Sequence, residues 1–390
     1  NPSGIDWGNM TWGHAISTDL VHWKQLPNAI EPDEMGTIFS GSAVVDVNNA
    51  AGFQVGDEKT LVAIYTAASA PSEISKEPFV QCLAFSVDRG RTWTKYKGNP
   101  VLPFIADANR DPKVVCHAPT NKWIMALFLE GSRYGFFSSP DLKQWTLLHD
   151  LNVPECGECP DFFEMPVSGG NGLTKWVFTA ANGRYLVGAF DGQRFTSETP
   201  LLQVEYGANC YAVQTFSDIP ASDGRRIQIG WMRDGKYPGM PFNQQMSFPC
   251  ELKLYSTPQG LRLAKSPVHE IDLLHKDGRQ WKDLTVQPGE NPFAGMEGEL
   301  WDIRMDIELG DAAAIGLRIR GQELLYQVNE KTLKCLKCTA PLEPSEGRIQ
   351  LQILVDRTSI EVFGNGGQVA LSSCFLPPAD DQQLELFTSG

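Results

Sequence analysis

Four times along this chain a strand-like run ends in a short turn built around Asp, and an aromatic residue opens the run that follows. Ser17-Thr18-Asp19-Leu20-Val21-His22 leads to Trp23, Ser86-Val87-Asp88 to Trp93, Ser139-Pro140-Asp141-Leu142 to Trp145, and Phe190-Asp191-Gly192 to Phe195. The aromatics are spaced 70, 52 and 50 residues apart. Repeats of roughly 50 residues made only of strands predict propeller blades, in which four-stranded sheets pack on one another around a channel. Between the turns lie the apolar runs Leu61-Val62-Ala63-Ile64-Tyr65, Trp123-Ile124-Met125-Ala126-Leu127-Phe128, Trp176-Val177-Phe178-Thr179-Ala180 and Ile227-Gln228-Ile229-Gly230-Trp231-Met232. They have strand length and end in turn formers, so they are expected to be inner strands of successive blades.

Helical periodicity is confined to Val268-His269-Glu270-Ile271-Asp272-Leu273-Leu274-His275, which follows Ser266-Pro267 and reads as a link between domains. Beyond residue 280 the pattern becomes strict alternation, as in Leu300-Trp301-Asp302-Ile303-Arg304-Met305-Asp306-Ile307 and Ile349-Gln350-Leu351-Gln352-Ile353-Leu354-Val355. One polar face per strand predicts an antiparallel sandwich wetted on its outside, with a Gly/Asn hairpin at Gly364-Asn365-Gly366-Gly367. The expected organisation is all-β: a propeller over residues 1–266, a linker over 267–280 and a β-sandwich over 281–390. With 36 Gly, 26 Pro, 20 Phe and 10 Trp the composition agrees with an all-β class. Asn1-Pro2-Ser3-Gly4 reads as the interior of a domain, so the first blade is expected to be incomplete.

A net charge of -14 disfavours nucleic acid and anionic membrane surfaces as partners and suits neutral ligands such as sugars. No apolar run approaches the roughly 18 residues of a membrane helix. Nine Cys spread over most of the chain do not resemble a disulfide framework, and they leave the redox compartment open. Cys156/Cys159 and Cys335/Cys338 are C-x-x-C pairs, but 179 positions separate them and no His brackets either. A shared zinc site is therefore not expected, and no metal or cofactor is called for.

Two carboxylates stand just ahead of a proline between apolar runs, Asp111 directly in Arg110-Asp111-Pro112-Lys113 and Glu158 one residue removed in Cys156-Gly157-Glu158-Cys159-Pro160-Asp161. They are 47 residues apart, nearly one blade interval, and are expected at equivalent places on neighbouring blades. Glycosidic cleavage with retention needs a general acid and a nucleophile across the scissile bond. Glu158 suits the acid, given apolar enclosure and a second carboxylate nearby. Asp111, beside Arg110, is expected to stay ionised, accept sugar hydroxyls and stabilise positive charge on the ring. Trp7, Trp12 and Trp231 offer faces on which a sugar stacks. Each of these residue types also serves in turns and cores, as His14 and His22 do beside Trp12 and Trp23, and spacing alone does not separate the two.

Several stretches are more specific. Trp7-Gly8-Asn9-Met10-Thr11-Trp12-Gly13-His14, Phe39-Ser40-Gly41-Ser42-Ala43, Arg110-Asp111-Pro112-Lys113-Val114, Glu158-Cys159-Pro160-Asp161 and Val355-Asp356-Arg357-Thr358-Ser359-Ile360-Glu361-Val362-Phe363 follow one another in an order that resembles glycoside hydrolase family 32, the invertases, inulinases and levanases. The resemblance implies a five-bladed propeller carrying a β-sandwich, and retaining hydrolysis of terminal β-fructofuranosides in sucrose, inulin or levan. It makes Glu158 the acid/base, Asp111 the transition-state stabiliser with Arg110 beside it, and Trp7, Phe39 and Ser40 lining of the fructose pocket. Tyr211 falls in a sugar-site segment, Asn209-Cys210-Tyr211-Ala212-Val213-Gln214, whose first position is Asp in many relatives. The loop from Trp231 to Phe248 is expected to govern acceptor choice, with amides of Asn243, Gln244 and Gln245 available to aglycone sugars. The family's nucleophile motif, Trp-Met-Asn-Asp-Pro-Asn-Gly, occurs nowhere in the chain, Asp6 lacks its flanking residues, and truncation at both ends is the expected reason. The partner is a fructose-containing oligo- or polysaccharide, and action outside the cell or in the periplasm is expected. A fructosyltransferase and a fructan-binding protein without catalysis are the alternatives.

Overall fold

The Asp turns are built by side-chain hydrogen bonds. Asp19 Oδ1 accepts the amides of Val21 and His22, Asp88 Oδ1 those of Arg91 and Thr92, Asp141 Oδ1 those of Lys143 and Gln144, and Asp191 Oδ1 those of Gln193 and Arg194. Ser17, Ser86 and Ser139 each donate a hydroxyl to the Asp two residues on. The residue after the Asp sits at positive φ: Leu20 at 64°, Arg89 at 60°, Leu142 at 63° and Gly192 at 89°. Such Asx turns trade strand hydrogen bonds for local ones and reverse the chain sharply. The indole N–H of Trp23 then caps Leu20 O at 2.9 Å, and that of Trp145 caps Leu142 O at 3.1 Å. The turn before Trp93 holds one more residue, and its indole N–H finds no such carbonyl.

These turns are seen in a computed structural model that describes residues 1, 4–69, 78–106, 109–378 and 380–390; the reading of Pro2 and Ser3 as domain interior lies outside them. The chain divides into two compact units, Asn1–Leu202 with Ala212–Arg226, and Gln203–Tyr211 with Ile227–Gly390. The first begins with a two-stranded pair, β1 (Trp12–Ser17) and β2 (Trp23–Ile30). Two antiparallel meanders of four strands follow. One comprises β3 (Thr37–Asp46), β4 (Thr60–Ala68), β5 (Val80–Ser86) and β6 (Thr94–Lys95), the other β7 (Arg110–His117), β8 (Lys122–Glu130), β9 (Arg133–Ser139) and β10 (Thr146–Asn152). The run β11 (Asp161–Ser168), β12 (Thr174–Thr179), β13 (Arg184–Phe190) and β14 (Phe195–Ser197) repeats the order. The runs Leu61 to Tyr65, Trp123 to Phe128 and Trp176 to Ala180 fall on β4, β8 and β12, the second strand of each meander. That strand is flanked on both sides and covered on both faces, which is why it is continuously apolar.

The meanders stack through side chains. Ile64, Leu83, Val114, Met125, Leu127 and Phe137 share one core layer, and Ile124, Phe136, Phe162, Trp176 and Phe178 the next. Phe162 and Trp176 stack at 4.5 Å between ring centroids. Among the described residues of this unit one charge pair is fully buried: Lys113 Nζ on β7 is 3.2 Å from Asp161 Oδ1 on β11, with side chains 2% and 0% exposed. Lys113 also donates to Thr215 O at 2.7 Å, and Asp161 Oδ2 accepts the Thr215 amide at 2.6 Å.

In the second unit the expected alternation forms two sheets. Trp301–Glu308, Arg348–Val355, Ser359–Gly364 and Val369–Cys374 make one; Cys338–Pro341, Thr332–Cys335, Gln322–Gln327, Ala314–Ile319 and Leu384–Ser389 make the other. Their alternate residues Leu317, Ile319, Leu324, Tyr326, Leu351, Ile353, Val362 and Leu371 form a single core. The hairpin turns at Asn365, Gly366 and Gly367, all at positive φ, and Gly367 has no alternative, since a Cβ there would lie 2.0 Å from Lys265 O. The segment expected to be helical is the 3-10 helix His269–Leu274. Glu361, in the motif around Ser359, is fully buried and accepts the Phe248 amide and the Ser372 hydroxyl; beside it Glu205 pairs with Lys265 at 2.7 Å.

Removing one partner of a buried pair leaves the other charge uncompensated, at a cost of about 3–5 kcal/mol. Lys113→Met should lower unfolding stability by that order in urea titration, and the double variant Lys113→Met/Asp161→Asn should recover most of it.

Candidate active site

Asp111 is the second residue of β7, where the ladder slips: Arg110 pairs with Phe128 and Lys113 with Ala126, leaving one extra residue on β7. Asp111 sits in the left-handed region at φ 64°. A bulge re-aims the side chain it carries, and Pro112 has no amide for the ladder to lose. Glu158 belongs to the loop that enters β11, three residues before Asp161. That loop is held from below: the Tyr134 hydroxyl donates to Gly157 O, the Ala181 amide to Glu158 O at 3.0 Å, and Asn182 Nδ2 to Glu155 O at 2.8 Å. The ion pair between Lys113 and Asp161 ties the two strands just inside the two acids.

Arg110 joins the acids. Its Nε and Nη2 lie 2.8 and 2.7 Å from Glu158 Oε2, its guanidinium covers the Phe128 ring at 4.7 Å, and its Nε is 3.7 Å from Asp111 Oδ2. The sequence pairs Arg110 with its neighbour Asp111; the fold spends the short hydrogen bonds of the guanidinium on Glu158 instead. Asp111 is 6% exposed. Burial, and then the charge of Glu158, push its carboxyl up to about 6, against Arg110 and two bonds from Cys159. Arg110 does not hold Asp111 in the ordinary carboxylate range, because desolvation outweighs a cation that is already engaged, but above about pH 6 the carboxyl is still ionised as expected. The expected apolar enclosure of Glu158 is also absent: its side chain is 29% exposed and ion-paired.

Cys159, a member of the motif to which the sequence assigns no role, completes the arrangement. Its amide and its thiol lie 3.1 and 3.3 Å from Asp111 Oδ2, and it too sits at positive φ, 53°. Burial and the neighbouring carboxylates hold the thiol protonated, well above the usual cysteine range, so it donates to Asp111. Cys156 instead packs in the aromatic core, and all nine cysteines are free.

The remaining residues singled out in the sequence fall into two sets. Trp7 is exposed, its ring edge-on to Phe39 at 5.7 Å, and Phe39 meets Phe79 at 5.6 Å. Ser40 is exposed on β3 beside them. Tyr211 and Trp231 belong to the second unit, where their rings meet at 6.3 Å and Arg233 covers Tyr211 at 3.9 Å. Asn209 is structural: Nδ2 donates to Arg233 O at 2.6 Å and Oδ1 accepts the Cys374 amide at 2.8 Å. The amides expected to face aglycone sugars are also engaged. Gln244 Oε1 accepts the Trp231 indole, Gln245 joins Tyr237, Ser359 and Thr358, and Asn243 Oδ1 accepts the Tyr237 amide at 3.4 Å. His22 pairs with Asp19 at 2.8 Å within its turn. Among the described residues, Asp272, His275 and Asp302 are grouped closely enough to hold a cation, but Arg304 already bonds both carboxylates.

Comparison with known proteins shows the family to which the chain belongs. Residues 1–267 match the model of the glycosyl hydrolases family 32 N-terminal domain, and residues 270–390 that of the glycosyl hydrolases family 32 C terminal. A levanase of Bacillus subtilis (strain 168) is 39% identical over all of this chain, which spans 63% of that protein, and a levanase of Bacillus sp. (strain L7) is 32% identical over 97% of the chain and 47% of its own length. The chain thus spans about half to two thirds of the length of these relatives. The crystal structure of exo-inulinase from Aspergillus awamori superposes with a TM-score of 0.88 at 27% identity, covering 100% of this chain and 89% of that one. The fold is accordingly an all-β one, a β-propeller followed by a β-sandwich. Two family models that together take in nearly every residue make the chain, whose two motif acids meet on one arginine, a member of glycosyl hydrolases family 32.

Proposed function

We propose that the protein removes terminal β-D-fructofuranosyl residues from fructans such as levan or inulin, or from sucrose, with retention of configuration. The observation that carries the reading is the joint hold of Arg110 on Glu158 and Asp111, which places the two motif acids at one point although 47 residues separate them. In this reading Glu158 protonates the departing glycosidic oxygen and later takes a proton from water. Its partial exposure leaves one face open to the leaving group. Asp111 accepts fructose hydroxyls and, when ionised, stabilises positive charge on the ring. Trp7 and Phe39 offer apolar faces to the sugar, and Ser40 a hydroxyl. Retention also needs a nucleophilic carboxylate, a role that falls to neither Asp111 nor Glu158. Action on a polymer favours a site outside the cell or in the periplasm. A fructosyltransferase uses the same two acids and differs in its acceptor.

The test is fructose release from levan, inulin and sucrose by the protein carrying any sequence encoded before Asn1. Glu158→Gln should lower kcat by at least about 100-fold, the scale of general acid catalysis, and fructan binding with no fructose release by the parent protein would favour a binding module instead. The acid limb of the pH profile should follow Asp111. As pH falls through about 6 its carboxylate takes up a proton and loses the charge that stabilises the ring. Cys159→Ala removes a hydrogen bond that favours the ionised form, so the limb should move to higher pH.

A further inference from the structure

A bulge leaves backbone groups without ladder partners, and at a buried site each must be met by something else. Around Asp111 the partners come from the preceding meander. The Asp111 amide donates to Thr66 Oγ1 at 3.1 Å. The Thr66 hydroxyl donates to Gln81 Oε1 at 2.7 Å, and Gln81 Nε2 donates to Asn109 O at 3.2 Å. Thr66 and Gln81 are cross-strand partners on β4 and β5, and both are 0% exposed. The two side chains therefore form a brace whose ends hold the peptide groups on either side of Arg110.

The direction of every proton in this chain is determined. Gln81 has one amide face for each neighbour, so the Thr66 hydroxyl must give its proton to Oε1, and its lone pair must face the Asp111 amide. The segment before the bulge is anchored in the same way. Asn109 Oδ1 accepts the amides of Ile105 and Ala106, and its Nδ2 donates to Phe79 O. Beyond the bulge Ser42 Oγ donates to Pro112 O and accepts the Val114 amide, each at 2.9 Å. Ser42 gives a use to the second serine of the Phe39-Ser40-Gly41-Ser42 motif, which faces the core while Ser40 is exposed.

We infer that Thr66 and Gln81 are positioning residues for the reaction. Through the backbone of residues 109–111 they aim the Arg110 guanidinium at Glu158 and the Asp111 carboxylate at the Cys159 amide and thiol. The inference rests on the roles proposed above for Asp111 and Glu158. Neither residue touches substrate; both act by denying the left-handed Asp111 the freedom to relax into regular strand geometry, in which its side chain would point elsewhere. Misplacing a reacting group by about 1 Å costs roughly 100-fold in rate.

The test uses the protein with its full native sequence, and kcat and KM are measured per folded molecule well below the melting temperature. Thr66→Val keeps the shape and removes both hydrogen bonds; it should lower kcat about 10- to 100-fold, while Thr66→Ser should restore it to within about threefold of the parent. Gln81→Asn keeps an amide but is one methylene too short to span both partners, so it should fall with Thr66→Val, and the double variant should be no worse than the weaker single one, since the two act as one unit. A brace that only stabilises the fold would lower the melting temperature and leave kcat and KM unchanged, and that result overturns the inference. If Thr66→Val does not fold, Gln81→Asn decides by the same readings. Asp111→Asn is the companion: full activity in that variant sinks the role assigned to Asp111, whereas an inactive Asp111→Asn beside a fully active Thr66→Val sinks the brace alone.

Discussion

The pair between Lys113 and Asp161 is the constraint on which the site depends. Two ions taken out of water carry a desolvation cost of several kcal/mol each, and burial alone would depress the lysine. The cost is tolerated because the pair does not stand alone: Lys113 Nζ reaches Thr215 O, and the second oxygen of Asp161 takes the Thr215 amide. A hydrophobic contact at this place would hold β7 near β11 with some freedom to slide. An ion pair with directed hydrogen bonds permits one register. Asp111 precedes Lys113 by two residues and Glu158 precedes Asp161 by three, so the register of the pair sets the distance between the two acids.

Above this anchor a single guanidinium serves two carboxylates unequally. Arg110 places its short bonds on the more exposed Glu158 and lies farther from the more buried Asp111. Asp111 is then left to backbone and thiol donors of the Cys159 residue. This division keeps two acids of like charge close together without neutralising both in the same way. Asp111 and Cys159 both sit in the left-handed region, a strain of the kind found where geometry rather than stability has been favoured.

The two acids that meet on Arg110 and the all-β class were legible in the chain itself. Asp19, Asp88, Asp141 and Asp191 announce turns because such a turn is closed by residues two to four positions away, within reach of any local reading. Strict alternation after residue 280 likewise carries its sheet faces with it, since side chains in a strand change face at every step. What escaped was every choice between partners distant in sequence. Asn209 opens a sugar-site segment in the sequence, but its side chain lies between Arg233 O and the Cys374 amide, and Arg110 reads as the partner of Asp111 until the loop before β11 offers Glu158. The sequence by itself determined which residue types exist at the site and the local turns that present them, because those depend on neighbours in the chain. Only the tertiary structure decided who bonds to whom, how dry Asp111 is, and that Thr66, Gln81 and Cys159 belong to the same assembly, because burial and hydrogen-bond direction are properties of strands brought together from far apart.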